Sequence, residues 1–249
     1  MAQRSVRVRD GTDTILRLAV SVAHPHSKLI TAAARNILRP LGLIQKGRSR
    51  TWLDDQGWWL GVVEFQPSSW SRGSYLNVGV HWLWNPKQYL SLDYGNRVMD
   101  LDGDGQYVEY ESDEQFGPLA LKLAEVAANQ IRGYREQFLD VVSAAAVLAD
   151  AEQDRRNGPV PTSDVLRWID AGIGLGVAGQ TAASESEFGR YLDWYESRDD
   201  PEDYEAVRCS RVRELKRLAS DTEAFRGRIH SDVVEGRALL MLEPAELPF

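Results

Sequence analysis

Leu29, Ile30, Ala33, Ile37 and Leu38 recur at the spacing of one helical face, and that period stops at Pro40 and Gly42, residues suited to a helix end. The texture then changes to strands. Residues 48–54, 58–66 and 75–84 are rich in aromatic and β-branched side chains, and turn residues fill Asp55-Gln56-Gly57 and 67–73 between them. Connections this short predict antiparallel neighbours, and a fourth strand is predicted at 106–110. From Pro118 the helical period returns, predicting two helices broken near Gly133 and ending near Asp154. Beyond the turn-rich Asn157-Gly158-Pro159-Val160-Pro161 everything reads as helix, with four antiparallel helices the simplest arrangement. Ser184-x-x-Glu187 and Ser220-x-x-Glu223 have capping-box spacing, and Asp200-Pro201 places an acid before a first-turn proline. Residues 1–24 read two ways: Val6, Val8, Leu16, Leu18, Val20 and Val22 alternate around Asp10-Gly11 as a hairpin would, and 14–23 would also suit a helix.

These patterns predict an α+β fold. A small antiparallel sheet of three to four strands carries helices on one face and is followed by an all-helical C-terminal region. The expected organisation is an N-terminal extension over 1–24, an α+β domain over 25–156, a linker at 157–162 and a helical domain over 163–249.

Aromatic content sharpens this picture. Six of the eight tryptophans fall between Trp52 and Trp84, more than one small sheet face obviously needs, and aromatic side chains dominate both cores and interfaces. Cys209 is the only cysteine, which excludes an internal disulfide and a cysteine-based zinc site. No apolar run approaches the roughly 20 residues of a membrane-spanning helix, and the basic start lacks the apolar segment of a secretory signal. A bacterial cytoplasmic protein with no membrane partner is therefore expected. The net charge of −8 is uneven, with 13 Lys and Arg against 6 Asp and Glu in residues 1–99. Such asymmetry suits two solvated faces or the steering of a charged partner.

Lys46-Gly47-Arg48, then Val63-Glu64-Phe65-Gln66-Pro67-Ser68-Ser69-Trp70, then Leu76-Asn77-Val78-Gly79-Val80 resembles the bacterial domain-of-unknown-function family number 4304 over residues 27–150. The resemblance implies an α+β fold and a bacterial cytoplasmic setting, and no reaction. Leu43 and Glu64 depart from the aromatic and the Asn usual in that family.

Candidate chemistry is sparse. Asp100, Asp102, Asp104, Gly105 and Glu111 match the letters of a calcium-binding EF-hand loop, but the flanking residues read as strands, so an acidic connection is expected. Gly174, Gly176 and Gly179 match a dinucleotide fingerprint inside a helical stretch, where close helix packing is the expected use. His24 and His26 lack a third ligand, and His81 reads as a satisfied sheet histidine. No metal, cofactor or catalytic residue is assigned. Candidate binding residues are Trp70 and Arg72 on the turn, Gln66 and Asn77 on the strands flanking it, and Arg48 and Arg50 beside the rings. The Gln66 and Asn77 amides are expected to hydrogen-bond loop backbone or to line a ligand pocket. The leading functional reading is a module that binds another protein, of immunity or antitoxin type. Nucleic-acid binding through the basic tryptophan-bearing half is the alternative, and an enzyme of unassigned reaction comes third. Several tryptophans of the cluster in solvent would favour the first two, and a deep pocket with convergent polar groups would favour the third.

Overall fold

The computed structural model describes residues 25–68, 70–99, 107–153, 165–199 and 202–249. Both readings of residues 1–24, most of the acidic loop 100–106, the Asp200-Pro201 pair and the expected linker 157–162 lie outside the described residues. Helix α1 (Pro25–Ile37) buries Ile30, Ala33 and Ala34, as its stripe requires. A short 3-10 turn through Pro40 ends at Gly42, whose φ of 91° is left-handed and favours glycine.

Six antiparallel strands follow: β1 (Ile44–Gln45), β2 (Thr51–Asp55), β3 (Trp59–Pro67), β4 (Gly73–Trp82), β5 (Tyr94–Arg97) and β6 (Tyr107–Glu109). They run in the order β1-β2-β3-β4-β5, with β6 pairing the start of β4. The sheet is thus larger than the three to four strands expected. β1 has only two residues, and β5 reads Tyr-Gly-Asn-Arg with Gly95 at φ 87°. Neither is long enough or regular enough to show a strand pattern of its own; each forms because β2 or β4 offers an unpaired edge.

Alternation assigns the two faces. Trp52, Val63, Phe65, Leu76 and Val78 share one face and one hydrophobic cluster with α1 and with α2 (Asp113–Gln137). A methyl group on Gly61 would sit 2.8 Å from Ile131 of α2. Arg135 of α2 donates to both oxygens of buried Asp54 on β2, at 2.9 and 2.5 Å. Chain segments cover part of the opposite face: a methyl on Gly79 would lie 3.0 Å from Leu92, and one on Gly57 3.4 Å from the Glu246 carbonyl.

The expected break near Gly133 is displaced. Helix α2 is capped by Ser112, whose Oγ accepts from Gln115 N, and continues through both Pro118 and Gly133. It ends at Phe138. Asp140 then caps α3 (Val141–Gln153) by accepting the Ser143 N–H at 2.7 Å, which holds its carboxyl below the usual range.

Helices α4 (Val165–Val177), α5 (Thr181–Glu196), α6 (Asp203–Leu218) and α7 (Thr222–Leu239) complete the chain. The glycines of α4 serve packing, as expected. Methyl groups on Gly172 and Gly176 would sit 2.6 Å from Phe188 and 2.5 Å from Phe225. The expected capping boxes are misplaced. Ser184 lies inside α5 and donates to the Gly172 carbonyl at 2.6 Å, and Asp221, not Ser220, caps α7. The reciprocal box is Glu202 with Glu205. Among the described residues, no helix is long and apolar enough to cross a membrane.

One hydrophobic cluster joins Trp58, Trp59, Trp82 and Trp84 to Val165, Trp168, Phe188, Phe225 and Val233 of the C-terminal helices. The helices after residue 165 thus close their core against the end of the sheet. Gly236 packs directly on Leu83, where a methyl group would lie 2.4 Å from the carbonyl oxygen. Arg237 forks onto Asp55 with two bonds of 2.8 Å.

Candidate functional site

Five of the six clustered tryptophans are buried, and Trp70 alone is exposed, at 94%. Trp58, Trp82 and Trp84 stack with ring centroids 4.8–5.7 Å apart. The rings are a wall between sheet and helices, and the chain leaving that wall builds a cleft.

From Trp84 the chain runs through Asn85, Pro86 and Lys87, then returns through Ser91 and Asp93 into β5. Asp93 is the hub of this return. It accepts from Trp82 N at 2.9 Å, Lys87 Nζ at 2.6 Å and Ser91 Oγ at 2.9 Å. Lys87 also donates to Ser91 Oγ at 2.8 Å. The Ser91 N–H donates to His81 Nδ1 at 3.3 Å, which places the ring proton on Nε2, a buried atom without a hydrogen-bond partner among the described residues. Burial holds the imidazole neutral, lowering its pKa to about 4 despite the nearby Asp93 charge.

Ser91, His81, Asp93 and Lys87 include the residue types of a hydrolytic triad, but not its geometry. A triad uses the two ring nitrogens for different partners, with the serine and the acid on opposite sides. Here Ser91 Oγ lies 2.9 Å and Asp93 Oδ2 3.6 Å from the same Nδ1. Lys87 donates to both Ser91 and Asp93, so it clamps the loop and is not placed as a base for the hydroxyl. The cluster is a structural knot that shapes the cleft.

A buried carboxyl lies across from it. Asp170 interrupts the apolar run of α4 and is 2% exposed. Its Oδ1 accepts from Trp84 Nε1 at 3.1 Å and Asn85 Nδ2 at 2.7 Å, both neutral donors. Oδ2 takes no hydrogen bond among the described residues. Burial first, and the Asp93 charge second, push its pKa up to about 7, against the opposing pull of those two donors and Lys87. Arg211 of α6 props this arrangement, donating to Asn85 Oδ1 at 2.9 Å, Asp232 Oδ2 at 2.9 Å and the Trp84 carbonyl.

These groups line a cleft of about 540 Å³ between the 85–93 segment, α4 and α6. Leu92, Leu166, Ile169 and Val207 give it apolar surface, and the exposed Tyr89 and Tyr204 stand among its lining residues. Arg208 lies with its guanidinium 5.4 Å from the Tyr204 ring centroid and makes no ion pair among the described residues.

The expected binding residues are elsewhere, in three places. Trp70 and Arg72 are exposed on the β3–β4 turn, where Ser68 Oγ accepts from Trp70 N at 3.1 Å. Gln66 and Asn77 meet on the sheet, with Asn77 Nδ2 donating to Gln66 Oε1 at 3.0 Å and Glu64 Oε2 at 2.9 Å. Arg97 of β5 donates to both amide oxygens and stacks over Tyr75. These amides therefore bond to side chains across three strands and not to loop backbone. Arg48 and Arg50 face α1. None of the six lines the cleft. Its residues went unread in the sequence, although one signal was present: Asp170 is the only charged residue between Trp168 and Val177.

Among the described residues, no group of three or more His, Cys, Asp or Glu side chains is placed to hold a metal ion. No family model matches the chain, and no curated protein or solved structure shows significant similarity to it.

Proposed function

We propose that this protein binds a small organic ligand in the cleft between the 85–93 segment, α4 and α6. The observation that carries this reading is Asp170, a buried carboxyl held only by neutral donors, poised near pH 7 and lining an open cleft. A carboxyl buried for stability alone is best served by a cationic partner, and a carboxyl so perturbed in a concave site marks function. The lining defines the ligand class. Tyr89 and Tyr204 suit a planar or apolar body, Arg208, which has no ion pair among the described residues, suits an anionic substituent, and Asp170 suits a hydrogen-bond donor such as an amide or ring N–H. Proton exchange with the ligand would run through Asp170.

The test is a thermal-shift screen of anionic metabolites against the wild type, Asp170→Asn and Arg208→Ala. Hits should stabilise the wild type and lose most of that effect in both variants. Equal shifts in all three proteins would place the ligand elsewhere.

A second reading rests on Trp70. A tryptophan 94% exposed beside exposed Arg72 has the composition of an interface hot spot, and it supports capture of another protein through the β3–β4 turn.

A further inference from the structure

Away from the cleft, α1 and the β1–β2 hairpin enclose a concavity of about 340 Å³ lined by Ser27, Lys28, Thr31, Ala32, Arg35, Arg48 and Arg50. We propose that this concavity is a phosphate-binding site, independent of the ligand cleft. Its composition is one-sided, with four cations, two hydroxyl side chains and no carboxylate among seven residues. Lys28, Thr31 and Arg35 recur at the three- and four-residue spacings that align side chains along one helix face. Arg48 and Arg50 alternate across from them on the hairpin.

None of the four cations makes an ion pair among the described residues. Elsewhere in the chain Arg135, Arg211, Arg228 and Arg237 each hold a carboxylate. Four like charges kept together without counter-charge repel one another, and an anion in their midst relieves that repulsion. Arg50 is the preorganised member. Its Nη2 donates to Ser27 Oγ and lies 3.3 Å from His26 Nε2, while its Nη1 is buried without a hydrogen-bond partner among the described residues. Burial lowers its pKa from the ordinary value, the cost of holding a guanidinium there with no anion. Forked guanidinium donors, an ammonium and hydroxyls are the groups that recognise phosphate oxygens. No aromatic side chain lines the concavity, so recognition is of the phosphate and not of a stacked base.

The phosphate could be carried by a small molecule or by a nucleic-acid backbone, and two probes separate these sources. Sodium pyrophosphate is titrated calorimetrically into the full chain, and a fluorescent oligothymidylate is followed by anisotropy across a salt series. Binding of pyrophosphate alone identifies a small phosphorylated ligand. Binding of the oligonucleotide, with affinity falling as salt rises, identifies the backbone. Lys28→Ala/Arg48→Ala removes two exposed, unpaired side chains, so folding is preserved. It should weaken whichever probe binds by about tenfold or more and reduce the oligonucleotide's salt slope by about 0.7 per cation removed. Arg132→Ala, exposed on α2 and outside the concavity, should leave pyrophosphate binding unchanged. The proposal is overturned if neither probe binds at millimolar concentration, if the double variant binds as the wild type does, or if Arg132→Ala weakens pyrophosphate binding equally.

Discussion

The indole Nε1 of Trp84 donates to Asp170 Oδ1 at 3.1 Å, joining positions 86 apart in the chain. Trp84 belongs to the ring stack at the end of the sheet, and Asp170 is the only carboxylate inside α4. Through this bond the aromatic junction orients the one perturbed acid of the cleft. The tryptophan cluster thus contributes to the site as its supporting wall, with the rings out of solvent.

Asp170 and His81 should give stability opposite dependences on pH. Asp170 rises from the ordinary 3.8 to about 7, so the folded chain keeps a proton that the unfolded chain has lost, and stability falls as pH climbs through that window. His81 falls from 6.5 to about 4, so the unfolded chain binds the extra proton, and stability falls as pH drops through that window. Each slope is bounded by about 1.4 kcal/mol per pH unit. Asp170→Asn retains an acceptor for Trp84 and should gain on the wild type between pH 4 and 7. His81→Gln should lose its disadvantage as pH falls from 6.5 to 4. Chemical denaturation across this range is the measurement, and variant curves parallel to the wild type would refute both assignments.

Arg237 closes α7 onto the sheet. Besides Asp55 it donates to the carbonyls of Gly57 at 2.7 Å and Glu243. Burial alone would raise the Asp55 pKa, but the hydrogen bonds and charge of Arg237 and the Gly57 N–H bring it below the usual carboxylate range. Arg237→Ala should cost about 2 kcal/mol in urea denaturation, a value discounted for the half-exposed acid. A loss under about 0.5 kcal/mol would mean that the clasp is decorative.

Trp70→Ala/Arg72→Ala should leave the melting temperature within about 1 °C, since both side chains are exposed and surface changes are usually small. Loss of capture of a protein partner would support the second functional reading. A drop of several degrees would show that the turn stabilises the fold.

Cleavage within 157–162 should not release two folded halves. The tryptophan junction shares its core with α4–α7, so a nicked chain should elute as one species and melt cooperatively, and 163–249 expressed alone should lack a sharp transition. A stable, cooperative 163–249 fragment would establish the helical region as a domain of its own.

Periodicity determined much of the architecture by itself. The α1 stripe, the alternation along β2, β3 and β4, and the helical C-terminal region are local patterns, written in side chains that neighbour one another along the chain. The glycines of α4 were legible as packing residues because their context was helical. Local pattern could not place β1 or β5, whose pairing depends on an edge offered by another strand, nor the cap of α7 to the residue. It also could not tell an exposed tryptophan from a buried one, because the same ring serves core and interface alike; only tertiary packing decided that four rings form the wall, that Trp52 is buried against α1 and α2, and that Trp70 is exposed. The cleft was least legible of all. Asp170 lies some eighty positions from Asn85, Lys87 and Asp93, and the property that unites them, a carboxyl's proton affinity set by burial and by a second charge, exists only once the chain has folded.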